Sequence, residues 1–120
     1  MTMRQLFLIA CLTGSVAVGS TAALAHATKE TTTPADGAVL EAKPEVIAMT
    51  FDQPMRLTLI RLTSSDGAEI DVTRSDGMVP VTEFEATPGE MGPGAYTLKW
   101  RGLSSDGHPM NGSFSFRIAD

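Results

Sequence analysis

A chain of 120 residues has room for one domain, and its single cysteine excludes an internal disulfide framework. Fourteen acidic residues against nine basic ones give a formal charge of −5, which disfavours nucleic acid or an anionic membrane as a partner. No window outside the first 25 residues shows apolar spacing of three and four, so almost no helix is expected.

The first 25 residues read as a secretory signal. One basic residue, Arg4, precedes the apolar run Leu6 to Leu12, and the small-residue pattern Ala23-Leu24-Ala25 ends the segment just before His26. Thr13, Gly14, Ser15, Gly19, Ser20 and Thr21 interrupt it, whereas a membrane span needs roughly 18 or more consecutive apolar residues. Leu8-Ile9-Ala10-Cys11 also has the form of a lipoprotein box, but the apolar stretch before it is short. Cleavage after Ala25 removes Cys11 and Arg4, so the mature chain, 26–120, has no thiolate ligand and a formal charge of −6 from eight basic and fourteen acidic residues. The expectation is a periplasmic protein that does not insert into the membrane once the signal is gone.

From His26 onward, turn chemistry recurs at short intervals, beginning with Pro34-Ala35-Asp36-Gly37. Val46 to Phe51 and Leu57 to Thr63 are rich in β-formers, and Ser65-Asp66-Gly67 separates the second run from Ala68 to Thr73. In Val81 to Ala86, Thr82, Phe84 and Ala86 share a side opposite Glu83 and Glu85. A Gly/Pro-rich loop follows over residues 87–94. Tyr96, Leu98 and Trp100 then form one inward row, and Phe114, Phe116 and Ile118 another. About seven short strands in one domain predict an all-β, immunoglobulin-like β-sandwich, with a small closed barrel as the alternative.

Chemistry concentrates on the two histidines. His26 becomes the first mature residue, where a free α-amine and ring Nδ1 can chelate one metal ion, and His108 lies in Ser105-Asp106-Gly107-His108-Pro109. Amine and imidazole nitrogens with the Asp106 carboxylate make a tetragonal nitrogen and oxygen set that suits one Cu(II) ion, with Zn(II) and Ni(II) as weaker competitors. Asp106 and His108 are two apart, so both project to one side of an extended backbone, and Gly107 permits a turn between them. Taken singly, His26 reads as the residue after a cleavage site and His108 as a loop histidine. Asp106 alone is ordinary Ser-Asp-Gly turn chemistry, which also occurs at Ser65-Asp66-Gly67 and Ser75-Asp76-Gly77.

The order of segments resembles the CopC family of periplasmic copper-binding proteins. The resemblance rests on His26-Ala27, Thr33-Pro34-Ala35-Asp36-Gly37, Thr50-Phe51-Asp52-Gln53-Pro54, Gly94 to Trp100, Ser105 to Pro109 and Gly112 to Phe116. It implies a seven-stranded Greek-key β-sandwich with a Cu(II) site onto which His26, Asp106 and His108 map. It also implies copper sequestration, delivery or homeostasis, with a copper-transporting inner-membrane protein as a partner. The methionine-rich loop of some members is missing: Met49, Met55, Met78, Met91 and Met110 are scattered, so no dedicated Cu(I) site is expected.

Two other readings compete. A metal-independent interaction module would use a sandwich edge, and a copper oxidase acting on polysaccharide would need a flat aromatic surface, whereas Trp100 and Tyr96 read as core. No Gly-x-Ser-x-Gly element, phosphate loop or zinc spacing is present, and the chain is not expected to be an enzyme.

Overall fold

The computed structural model describes residues 30–120, which contain strands and no helix. The expected signal segment and His26 lie outside the described residues. The strands are β1 (Glu30–Thr33), β2 (Ala38–Leu40), β3 (Ile47–Ser64), β4 (Glu69–Ile70), β5 (Val72–Arg74), β6 (Val81–Pro88), β7 (Gly94–Ser104) and β8 (Pro109–Ile118).

The runs Val46 to Phe51 and Leu57 to Thr63, expected as separate strands, are joined in β3. Their pairing nevertheless differs. Residues 47–51 lie between β1 and β6, while residues 55–64 lie against β7 and, at the far end, β4. Between them the register shifts: Thr50 faces Glu83 but Met55 faces Val81, so four residues including Pro54 bulge out of the ladder. Proline has no N–H to give a ladder, and a bulge is where a strand tolerates it.

At this bulge β3 bends from one layer into the other. Nine extended residues would carry the chain about 30 Å, yet Phe51 packs edge-on against Trp100, the cross-strand neighbour of Ile60, with ring centroids 5.3 Å apart. One layer is therefore β1, the first part of β3, β6 and β5. The other is β4, the second part of β3, β7, β8 and β2. Pairing is continuous through β3, so a single curled sheet folds into a β-sandwich.

The expected strand Ala68 to Thr73 is likewise split. It leaves β3 after Ile70 and joins β6 from Val72, and between them the Asp71 carbonyl accepts a bond from Gly89 N–H at 2.8 Å. There are eight strands by pairing, where about seven were expected.

Both aromatic rows point inward. Tyr96, Leu98, Trp100, Phe114, Phe116 and Ile118 are buried with Ile47, Met49, Phe51, Met55, Leu57, Leu62, Phe84 and Ala86. Trp100 faces Gly112 across the β7–β8 ladder, and a Cβ there would lie 2.7 Å from the indole nitrogen, so only glycine admits the ring. Thr82 departs from expectation: although in phase with Phe84, it is exposed at the start of β6. Of the methionines, Met49 and Met55 are core, Met91 and Met110 pack partly against it, and Met78 is exposed.

Arg74 ties the two layers together. Its guanidinium bonds both Asp76 carboxylate oxygens (2.6 and 2.9 Å), donates to the Leu57 carbonyl at 2.8 Å, and sits 5.4 Å from the Phe84 ring centroid. The pair is shielded, with Asp76's side chain only 6% exposed. Removing one partner of such a pair strands the other. Arg74→Ala is expected to lower stability by about 3 kcal/mol, measured by urea unfolding. The Arg74 hydrogen bonds hold the Asp76 carboxyl below the ordinary carboxylate range, against the opposing effect of burial. Its contribution is thus present above the unfolded value near 3.8 and lost as pH falls through the depressed one. The deficit of Arg74→Ala should accordingly shrink in acid.

Candidate metal centre

The turn joining β7 to β8 carries Asp106 and His108. Its backbone closes through Gly107 N–H to the Ser104 carbonyl (2.9 Å) and Ser104 N–H to the His108 carbonyl (2.9 Å). Gly107 has φ of 87°, a left-handed conformation that glycine accepts without cost from a Cβ. The expected common projection of residues 106 and 108 is therefore realised by a turn rather than by extended strand.

Side chains complete the turn. Ser104 Oγ donates to Asp106 Oδ1 and accepts a bond from His108 N–H at 3.2 Å. The other carboxylate oxygen, Oδ2, lies 2.8 Å from His108 Nδ1. The Ser104 hydroxyl first, then His108, lowers the Asp106 pKa to about 2, so this carboxylate is ionised at any ordinary pH. Both side chains are open to solvent, 75% for His108 and 66% for Asp106, and a ligand meets no barrier in reaching them.

A second turn acts as an internal control. At Ser64-Ser65-Asp66-Gly67-Ala68 the same backbone bonds recur (Gly67 N–H to Ser64 carbonyl, 3.0 Å; Ser64 N–H to Ala68 carbonyl, 2.8 Å), with Gly67 at φ 93°. Ser64 Oγ again donates to the aspartate and accepts from residue 68 N–H at 3.1 Å, and Asp66 is again depressed, mainly by that hydroxyl. Only the fifth residue differs in the turn, alanine in place of histidine. Asp106 thus holds its position for reasons of turn architecture, and His108 is what sets this turn apart. Ser104 was missed by sequence reasoning, although the doubled Ser-Ser-Asp-Gly string is a legible signal for it.

The third expected ligand, His26, precedes β1. Glu30 pairs with Phe51 and Ser104 pairs with Met55, so the start of β1 and the end of β7 both lie beside the bulge of β3. Glu30 marks the level. Its Oε2 and the Trp100 Nε1 are both buried without a formed hydrogen bond, and burial pushes the Glu30 carboxyl up while the indole N–H acts in the other direction. Among the described residues no group of three or more His, Cys, Asp or Glu side chains gathers as a metal site, so Asp106 and His108 stand there as a pair.

Comparison with known proteins agrees with this architecture. The CopC domain model matches residues 29–119. Curated proteins named copper resistance protein C are similar to the chain: one from Xanthomonas campestris pv. juglandis is 30% identical, covering 87% of this chain and 88% of its own. Another, from Escherichia coli, is 32% identical, covering 91% and 94%. Among solved structures, CopC from Methylosinus trichosporium OB3b superposes with a TM-score of 0.62 at 21% identity, covering 76% of this chain and 94% of that one. PcoC, a methionine-rich copper resistance protein from Escherichia coli, does so with a TM-score of 0.60 at 26% identity, covering 73% and 93%. With the bent β3, the aromatic rows and the Asp106–His108 turn in place, this coverage establishes that the chain belongs to the CopC family.

Proposed function

We propose that the protein is an exported carrier of one Cu(II) ion, serving copper sequestration, delivery or homeostasis in the periplasm. After removal of residues 1–25, the α-amine and Nδ1 of His26 would hold the ion together with Asp106 and His108. The observation that carries the reading is the 2.8 Å between Asp106 Oδ2 and His108 Nδ1. Two neighbouring ligands of a tetragonal ion, each about 2.0 Å from it at a right angle, are themselves about 2.8 Å apart. The pair therefore fits as adjacent ligands with only a proton to lose.

Chain length is compatible with closure of the site from the other side. His26 is four residues before Glu30, a reach of about 13 Å when extended, and Ser104 is four residues beyond Trp100 on β7. A free amine arises only on cleavage, so export and assembly of the site are one event. Burial of all six aromatic side chains in residues 30–120 favours binding over oxidation of a polysaccharide, which needs exposed rings.

The mature chain beginning at His26 should bind one Cu(II) with a nitrogen-rich tetragonal paramagnetic resonance spectrum. The same chain with one extra N-terminal residue should bind at least tenfold more weakly. Equal weak binding by both would sink the proposal.

Acidification should release the metal in the range of the nitrogen ligands. The α-amine and imidazole of His26, with ordinary values near 7.7–8.0 and 6.5, must lose protons to bind, whereas Asp106 stays ionised down to about pH 2. Copper loss below roughly pH 5, with uptake of more than one proton per ion, is the expected result of a potentiometric titration.

Ala68→His recreates the Asp-Gly-His turn far from the N-terminus. It should fold normally and add only a weak second equivalent in the same titration; a second tight site would show that the turn suffices and remove the role of His26.

A further inference from the structure

We propose that the outer face of the layer containing β7 docks on a bilayer of anionic phospholipid. Net charge speaks against such a partner, but the distribution of charge reverses that conclusion. Of the eight basic residues in 26–120, five lie on exposed positions of this one face: Arg56 and Arg61 on β3, Lys99 and Arg101 on β7, and Arg117 on β8.

Register makes the clustering tight. Arg61 stands directly opposite Lys99, and Arg101 follows two residues along β7. Like charges at such positions, with Cβ atoms about 5 Å apart, repel and reduce the stability of a sheet. Glu69 lies 3.4 Å from Arg61 and is the carboxylate paired within the cluster; Lys99 faces Ser113 and Arg101 faces Asn111 on the other side. The opposite layer presents Glu83 and Glu85 on its exposed face. Packed sheets lie about 10 Å apart, and the outward side chains add to that distance. It exceeds a Debye length of about 8 Å at physiological salt, so these carboxylates do not cancel the field of the basic face.

Composition of the face selects the occupant. Specific protein interfaces centre on buried aromatic anchors, and here every aromatic side chain of residues 30–120 is in the core; the face carries Thr63, Thr97, Ser113 and Ser115 together with the half-buried Leu59 and Leu103, which stand opposite Arg101 and Arg56. A fluid array of phosphate headgroups needs only a flat cationic surface, and arginine engages phosphate with two parallel bonds. Basic residues near an anionic bilayer contribute about 1 kcal/mol each, which is about fivefold in binding per residue.

The test is co-sedimentation of the protein, as isolated from the cells that make it, with vesicles of phosphatidylglycerol and phosphatidylcholine in equal parts at physiological ionic strength. The expected result is binding that is absent with phosphatidylcholine alone, reversed by salt, and reduced about a hundredfold in the triple variant R61Q/K99Q/R101Q. The three positions are exposed and like-charged, so the variant should keep or raise its melting temperature, which separates loss of binding from loss of fold. E83Q/E85Q should change binding less than twofold. No preference for phosphatidylglycerol, equal binding by the triple variant, or an equally large gain in E83Q/E85Q would overturn the proposal. So would salt-sensitive retention on immobilised polyglutamate without vesicle binding, which would assign the face to an acidic protein.

Discussion

The bulge of β3 between Phe51 and Met55 is the constraint on which the remaining arrangement depends. It puts the two halves of one long strand into opposite layers, where Phe51 meets Trp100 edge to face. Each half then templates its own antiparallel partner, β1 on one side and β7 on the other. Because Glu30 pairs with Phe51 and Ser104 with Met55, the start of β1 and the end of β7 both lie at this bulge. The start of β1 and a hairpin turn more than 70 residues apart in sequence are thereby brought to one place, with the core supplying the rigidity.

Within that frame the hairpin turn is generic. Two turns use the same serine hydroxyl, aspartate and left-handed glycine, and both depress the aspartate. An ionised, fixed carboxylate is a by-product of folding a Ser-Ser-Asp-Gly hairpin. One histidine in the fifth position sets an imidazole beside that carboxylate, at an exposed surface location. Exposure also means that the pair contributes little to stability through its own charge interaction. Stability between the layers rests instead on the apolar core and on the shielded Arg74–Asp76 pair, which bonds the Leu57 carbonyl across the β3 bend.

Alternation in the strands has a second consequence. Once hydrophobic rows face inward, polar residues are sorted onto two outer faces according to the layer their strand joins. Glu83 and Glu85 go one way with β6, while Lys99, Arg101 and Arg117 go the other with β7 and β8. A net charge of one sign thus coexists with a cluster of the other, a distinction that composition cannot express.

Much was legible in the chain itself. The period-two rows Tyr96-Leu98-Trp100 and Phe114-Phe116-Ile118 determined two inward faces, since a pleated strand leaves no other arrangement for them. Asp106 and His108 were identifiable because a histidine two residues from a turn aspartate cannot point far from it. What only the tertiary structure decided is the set of long-range relations: the joining of Val46–Phe51 to Leu57–Thr63 through a bulge, the change of layer at Asp71, the exposure of Thr82, and the facing of Arg61 with Lys99. These depend on which strand lies beside which. Local pattern specifies the face a residue takes, but strand neighbours are chosen by packing a shared core, where distant segments first meet.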